Sequence, residues 1–224
     1  MTDRLSRRQV AWRVAQDIPD GSYVNLGIGM PEQVANYLPE GREIVFHSEN
    51  GILGMGPEPG ANEVDYDLIN AGKKPVTLLP GGSFFHHADS FAIIRGGHLD
   101  ICVLGAFQVS ARGDLANWST GGPQSVPAVG GAMDLAVGAR RVFVMTDHNT
   151  RDGGHKLLDE CTFPLTGPEV VDTVYTDLAV IDIADSRMVV REKVPGLSFD
   201  DLQKRTGAKL AGADSCLPLK APEL

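Results

Sequence analysis

Short apolar runs that end in glycine recur along this chain, and they limit the folds that it can adopt. Residues 23–26 run into Gly27, and residues 76–79 run into Pro80, Gly81 and Gly82. Residues 101–104 are apolar throughout, which is typical of a central strand covered on both faces. Segments with helical periodicity separate these runs. The sequence therefore predicts an α/β fold with an open, mostly parallel sheet flanked by helices.

The remaining elements follow from periodicity and from turn residues. Helices are predicted at residues 4–18, 31–38, 88–94 and 132–139, with a last short helix from Ser198. Strands are also predicted at 43–47 and 142–145, and loops at 51–60 and 111–131. Residues 178–183 and 187–191 flank a turn, which predicts a short C-terminal hairpin. With no linker or repeat in view, we expect a single domain over residues 1–224.

Charge and cysteine content exclude several classes of function. A net charge of −9 argues against nucleic acid or an anionic membrane as a partner. Cys102, Cys161 and Cys216 have no CxxC spacing, so neither a disulfide framework nor a zinc knuckle is expected. The N-terminal segment lacks an apolar core of the signal-peptide kind, and no run approaches transmembrane length. We expect a soluble, cytoplasmic protein.

Common nucleotide, hydrolase and metal motifs are incomplete or missing. Gly27 and Gly29 begin a dinucleotide fingerprint, but Glu32 replaces its third glycine, and no P-loop or G-x-S-x-G sequence follows. His86 and His87 are adjacent, and neighbours on a strand point to opposite faces. Without a partner at helical spacing or a cysteine cluster, they do not predict a metal site.

The stretch from Phe46 to Gly51 is the strongest candidate for chemistry. An apolar strand delivers Glu49 to its carboxyl end, where ligands gather in open α/β sheets, and Asn50-Gly51 then turns the chain. A glutamate held there suits a carboxylate nucleophile. From spacing alone, a turn glutamate facing water is the simpler interpretation. Gly130-Gly131 precedes a helix, so its N–H groups would suit an anion or oxyanion, although plain turn chemistry also explains the pair.

The same stretch resembles the active-site signature of the B subunit of 3-oxoacid CoA-transferases. FHSENGILGMGP carries this resemblance, and NLGIGMPEQVANYLPEG, ADSFAIIRGGHLD, GDLANW and GGAMDLAVGA follow the family in the same order, over about residues 5–210. The resemblance implies the family I type of CoA-transferase fold. It also implies that Glu49 is catalytic and carries CoA as a glutamyl-CoA thioester.

Further expectations come from the family. A CoA thioester would be a substrate, no cofactor would stay bound and no metal would be needed. Because the A half is missing from this chain, the resemblance implies an obligate A subunit, in an assembly of two A and two B chains. The residues expected to form the oxyanion or CoA-binding site are Gly130, Gly131, Asn50, Gly51, Gly27 and Gly29.

Within the family, the chain is most similar to members that transfer CoA from succinyl-CoA to 3-oxoadipate during degradation of aromatic compounds. GGSFFHHADSF and PAVGGAMDLAVGARRVFVMTDH are in that style, and residues 121–129 lack the lysine of acetoacetate-type members. An acetoacetate enzyme, or a non-catalytic module that binds CoA thioesters, remains an alternative. The candidates for binding the second carboxylate of 3-oxoadipate are His86 and His87, and Arg151 ranks third.

Overall fold

A computed structural model describes residues 4–122 and 128–224. The strands of this part of the chain, in order, are β1 (Tyr23–Leu26), β2 (Val45–Ser48), β3 (Ile52–Met55), β4 (Leu78–Phe84), β5 (Ile101–Leu104), β6 (Gln108–Ser110), β7 (Leu115–Ala116), β8 (Arg141–Met145), β9 (Leu157–Leu158), β10 (Thr173–Tyr175), β11 (Ala179–Ala184), β12 (Arg187–Lys193), β13 (Leu210–Ala211) and β14 (Leu217–Pro218). The helices are α1 (Arg7–Gln16), a 3-10 helix (Met30–Tyr37), α2 (His87–Arg95), α3 (Ala132–Gly138) and α4 (Phe199–Lys204). The expectation about a missing lysine at 121–129 falls partly on residues 123–127, which lie outside the described residues.

Eleven strands form the main sheet, in the order β13-β12-β11-β10-β8-β5-β1-β2-β3-β4, with β14 also paired to β12. The five central strands, β10-β8-β5-β1-β2, are parallel. The antiparallel pair of β11 and β12 extends one side, and β3 and β4 extend the other. This confirms the predicted open, mostly parallel sheet with a C-terminal hairpin and a short helix after it.

The sheet core forms where the sequence is most apolar. Every residue of β5 is buried, as expected of a central strand. Ser6 caps the N-terminus of α1: its hydroxyl accepts from the Gln9 N–H while the Gln9 side chain accepts from the Ser6 N–H. This helix packs against β8 and β10, and α3 packs against β5 and α2. No helix within the described ranges is long and apolar enough to cross a bilayer.

The prediction of a loop at 51–60 is wrong, because the first part of this segment forms strand β3. β3 pairs antiparallel with β2, with His47 opposite Leu53 and Ser48 opposite Ile52. Ile52 and Met55 are buried in the core, so a neighbouring strand and a place to bury side chains outweigh the weak strand propensity of the glycines. The turn after β2 is therefore the tip of a β-hairpin.

The predicted strand stop at Pro80 is also wrong. β4 continues through Pro80 to Phe84, because it is the last strand of the sheet and proline is tolerated at an edge. A Cβ on Gly54 of β3 would stand 2.8 Å from the Gly82 Cα, so glycines let these two strands approach closely.

Two further predictions differ in detail from the structure. The predicted helix at 31–38 is a 3-10 helix over Met30–Tyr37. The predicted loop at 111–131 contains the two-residue strand β7, which joins β6 and β9 in a separate three-stranded sheet. Strands this short have too few residues to show a period in the sequence.

Candidate active site

A cavity of about 600 Å³ opens at one edge of the main sheet. Its lining includes Leu26, Ser48, Leu104 and Met145, which are the last residues of β1, β2, β5 and β8. These four strands are parallel neighbours, so their carboxyl ends meet at the same edge. This is the edge at which open α/β sheets bind their ligands.

Glu49 lies in this cavity, directly after β2. The hairpin loop is closed by a hydrogen bond from the Gly51 N–H to the Ser48 carbonyl, at 2.9 Å. Gly51 has φ +109°, and a Cβ there would overlap the Phe85 carbonyl oxygen, so only glycine fits. The Asn50 amide donates to the Ile69 carbonyl at 2.8 Å. The Gly51–Ser48 and Asn50–Ile69 hydrogen bonds immobilise the backbone that carries Glu49.

The environment of Glu49 favours its neutral form. Burial raises the pKa of the Glu49 carboxyl group, and the negative charge of Asp134 raises it further, while His87 acts in the opposite direction. Gly131 lies against the carboxylate: a Cβ at this position would stand 2.6 Å from Glu49 Oε2. The carboxylate therefore has a partly dehydrated position beside a glycine backbone.

Behind Glu49, the buried side chain of His47 connects three elements. The Asn25 amide on β1 lies 2.9 Å from His47 Nδ1, and the Ser90 hydroxyl on α2 lies 2.9 Å from His47 Nε2. Since the amide NH₂ group donates to Nδ1, the ring proton is on Nε2 and is donated to Ser90. Burial lowers the pKa of His47 to about 4, so the ring is neutral near pH 7. This network fixes β2 immediately before the candidate nucleophile.

The predicted site residues divide into two groups. Four of them line the cavity: Glu49, Gly27, Gly130 and Gly131. The others do not, although Asn50 and Gly51 shape the Glu49 loop and Gly29 precedes the 3-10 helix, where its N–H donates to Glu32. The Gly27 N–H is used in a 2.8 Å bond to the Val103 carbonyl. In contrast, the N–H groups of Gly130 and Gly131 donate to no other residue within 4–122 and 128–224.

The histidine pair and Arg151 lie outside the cavity lining. His86 Nδ1 accepts from the Ala88 N–H at 3.1 Å and caps α2, and the His87 ring packs on Phe91 with centroids 4.8 Å apart. His87 is nonetheless close enough for its charge to act on Glu49. Arg151 lines a separate polar cavity.

Sequence reasoning missed Lys156, which lines the Glu49 cavity. Its ammonium donates to the Thr146 hydroxyl just after β8, and burial lowers its pKa. Lys156 precedes β9, far along the chain from Glu49, and nothing local in the sequence marks it. Asn25 was also missed, although an asparagine within the apolar residues of β1 is a usable signal.

This arrangement suits a carboxylate nucleophile: a fixed, partly dehydrated glutamate, neighbouring N–H groups and one ammonium share a cavity large enough for a small organic substrate. Among the residues that the structure describes, no group of three or more His, Cys, Asp and Glu side chains is placed to hold a metal ion.

Comparison with known proteins agrees with this chemistry. Residues 7–205 match the family model described as Coenzyme A transferase. The chain is 61% identical to the B subunit of 3-oxoadipate CoA-transferase from Acinetobacter baylyi, over 94% of this chain and 97% of that protein. It is 46% identical to mitochondrial succinyl-CoA:3-ketoacid coenzyme A transferase 2 of Homo sapiens, covering 96% of this chain but 42% of the human protein. Its fold matches an acyl-CoA transferase of Escherichia coli O157:H7 with a TM-score of 0.73 at 16% identity, over 98% of this chain and 45% of that one.

Proposed function

This chain belongs to the coenzyme A transferase family, and we propose that it is the B subunit of an enzyme that transfers CoA from succinyl-CoA to 3-oxoadipate. The observation that carries the proposal is the 61% identity, over almost the whole of both chains, to 3-oxoadipate CoA-transferase B subunits of Acinetobacter baylyi and Pseudomonas putida. Relatives named for succinyl-CoA:3-ketoacid transfer are less similar, at 46–48%.

Glu49 is the proposed nucleophile. Its carboxylate attacks the thioester carbonyl of succinyl-CoA, the C–S bond breaks, and CoA leaves as a thiolate from a mixed anhydride of Glu49 and succinate. The thiolate then attacks the Glu49 carbonyl carbon and expels succinate, which leaves a glutamyl-CoA thioester. The dehydrated position of Glu49 supports this role, because a carboxylate that has lost water is a stronger nucleophile.

The second half-reaction reverses these steps with a new acid. The carboxylate of 3-oxoadipate attacks the glutamyl thioester and releases the CoA thiolate, and the thiolate attacks the 3-oxoadipyl carbonyl of the new anhydride. 3-Oxoadipyl-CoA leaves and the Glu49 carboxylate is regenerated. One thioester replaces another, so the exchange needs no nucleotide hydrolysis. The CoA thioester is thus a substrate, and kinetics of the ping-pong type follow from the covalent intermediate.

Gly130 and Gly131 are the proposed oxyanion donors. Each attack produces a tetrahedral intermediate with a negative oxygen, and one donor to such an oxygen contributes about 3–4 kcal/mol. Two N–H groups that donate to none of the described residues, beside the nucleophile, support this assignment. For Gly27 and Gly29 a CoA-binding role is less supported, because their N–H groups are already bonded.

An A subunit is the proposed partner, in an assembly of two A and two B chains. The Acinetobacter baylyi relative, which is matched over 97% of its own length, is named as a B subunit, whereas the human relative is more than twice as long as this chain and is matched over 42% of its length. Large apolar side chains are exposed around the cavity mouth, with Ile28 65% and Phe107 40% exposed. Exposed apolar surface beside a site is typical of a protein interface.

A trapping experiment tests this function. The A–B complex is incubated with succinyl-CoA alone, reduced with borohydride and digested, and the Glu49 peptide is weighed by mass spectrometry. Borohydride cleaves the C–S bond of the thioester, releases the CoA thiol and converts the Glu49 carbonyl to a primary alcohol. We expect this alcohol in the wild type and in the surface control Glu58→Gln, and none in Glu49→Gln. An unmodified Glu49 peptide from an active complex would exclude the covalent mechanism. Transfer to acetoacetate in preference to 3-oxoadipate would exclude the assigned acceptor.

A further inference from the structure

The cavity that holds Glu49 also holds an ammonium group without a carboxylate of its own. Lys156 donates to the Thr146 hydroxyl, and no Asp or Glu of the described ranges lies within 4.0 Å of its Nζ. Asp147 also lines the cavity, but its carboxylate is held by Arg7 at 2.9 Å. Asp147 and Asp177 raise the pKa of Lys156 through their charge at longer range, and Arg7 acts in the opposite direction, but no carboxylate of the described residues forms an ion pair with this ammonium.

An ammonium in this situation favours binding of an anion. It has three N–H donors, of which the Thr146 hydroxyl takes one. Removing a charge from water without a counter-charge is unfavourable, and burial accordingly lowers the pKa of Lys156. A carboxylate that enters the cavity would supply both a counter-charge at ion-pair distance and the missing acceptors.

We propose that Lys156 determines specificity by binding the distal carboxylate of both substrates in turn. This inference rests on the proposed function, in which succinyl-CoA and 3-oxoadipate each carry a second carboxylate remote from the reacting one. Among the described residues that line the cavity, Lys156 is the one Lys, Arg or His. Since succinate leaves before 3-oxoadipate enters, one cation is free to serve both half-reactions.

The two substrates differ in length, and a lysine suits this difference. Two methylene groups separate the reacting and distal groups of a succinyl chain, whereas four carbons separate them in 3-oxoadipate. Lysine carries a compact charge on a flexible four-carbon stem, so its ammonium is able to follow the carboxylate between two depths. A guanidinium, with its planar fork, is less tolerant of such a shift.

Matched substrate pairs test the proposal. Butyryl-CoA has the chain length of succinyl-CoA without the second carboxylate, and 3-oxohexanoate stands in the same relation to 3-oxoadipate. The A–B complex is assayed with all four, as the wild type, as Lys156→Met, as Lys156→Arg and as the surface control Lys209→Met. Lys209 is exposed and lies outside the cavity lining.

We expect Lys156→Met to lower kcat/KM for succinyl-CoA and for 3-oxoadipate by a hundredfold or more, as a rough magnitude for losing a dehydrated charge partner. The values for butyryl-CoA and 3-oxohexanoate should stay within about threefold of wild type. Lys156→Arg should retain a preference for the diacids, and Lys209→Met should match the wild type. If Lys156→Met does not assemble, Lys156→Gln is used with the same expectations.

Two results would overturn the inference. A loss of equal size for diacid and monoacid substrates would make Lys156 a structural residue, and a loss confined to one of the two diacids would refute the shared role. Failure of the proposed function is distinguishable, because it would appear in the wild type as no transfer from succinyl-CoA to 3-oxoadipate. Failure of the Lys156 assignment would leave the wild type and its Glu49 adduct unchanged.

Discussion

Gly131 lies directly against the carboxylate of Glu49, and a Cβ on Gly131 would stand 2.6 Å from Glu49 Oε2 and 3.0 Å from the Phe91 ring. Gly131 caps α3 and Glu49 follows β2, so the contact joins two elements that are distant in the chain. Because an ordinary carbon–oxygen contact is longer than 3 Å, any side chain at position 131 must displace the carboxylate. The space beside the proposed nucleophile thus depends on a missing Cβ.

Gly131→Ala should lower turnover while the fold is kept. Gly131 has φ −72°, which alanine adopts without backbone strain. The expected effect of the added Cβ is therefore a displacement of the Glu49 carboxylate. A displacement near 1 Å lowers rates by about a hundredfold. Steady-state kcat and the unfolding temperature of the A–B complex are the measurements, with Gly122→Ala as control, because a Cβ there would meet none of the described residues within 4 Å. Unchanged kcat in Gly131→Ala would show that the carboxylate moves freely, and Gly131→Val should be more severe still.

The decrease in kcat/KM on the acid side of the pH–rate profile should follow the protonation of the Glu49 carboxylate. Burial raises its pKa, so the nucleophilic carboxylate is lost as the pH falls through a value above the usual one, and kcat/KM falls with it. His87 lowers this pKa through its charge, so His87→Gln should move the acid limb to higher pH. His98→Gln, at an exposed position on the loop before β5, serves as the control and should leave the limb in place. A limb that moves to lower pH in His87→Gln would contradict the assignment.

Glu49→Gln should stabilise the protein near neutral pH. A carboxyl group whose folded pKa is raised contributes stability below the unfolded pKa, 4.5, and that contribution is lost as the pH rises through the folded value. At pH 7 the wild type therefore keeps a charge that burial disfavours, and glutamine removes it. Thermal unfolding of the two proteins should give a higher Tm for Glu49→Gln at pH 7 and no difference below about pH 4. A lower Tm for the variant at pH 7 would mean that unseen contacts stabilise the carboxylate.

His47 should make the folded state sensitive to acid. Its pKa is lowered from 6.5 to about 4, so its stabilisation is complete above pH 6.5 and is lost as the pH falls towards about 4. One proton taken up on unfolding corresponds to about 1.4 kcal/mol per pH unit in that window. Urea unfolding between pH 7 and 4 should show a shallower decline for His47→Gln than for the wild type.

His148 is the matched control for that experiment. It is buried between Thr176 and Thr206, its pKa is likewise lowered to about 4, and it does not line the Glu49 cavity. His148→Gln should flatten the pH dependence of stability to a similar degree while formation of the Glu49 adduct is retained. His47→Gln should also reduce adduct formation, since His47 holds β2 and α2 beside Glu49. If both variants affect formation of the Glu49 thioester equally, His47 contributes to the stability of the core and has no specific role in positioning Glu49.

The sequence by itself determined the local elements and singled out Glu49 as the candidate nucleophile. The apolar residues of β5, the helical period of α1 and the Asn50-Gly51 turn after Glu49 are properties of short segments, and backbone geometry converts them directly into strand, helix and turn. The resemblance to 3-oxoacid CoA-transferases came from the same stretches. These predictions needed no knowledge of which strands are neighbours.

Only the tertiary structure decided which distant residues share the cavity. β3 and the continuation of β4 through Pro80 depend on neighbours in the sheet. Strand order placed Gly131 against Glu49 and Lys156 in the same cavity, and it left Asn50 and Gly51 out of the cavity lining. The raised pKa of Glu49 likewise arises from burial by residues far away in the chain. The burial of a side chain and the effect of neighbouring charges on its pKa depend on distances in space. A periodic sequence pattern contains no information about those distances until the strands are paired.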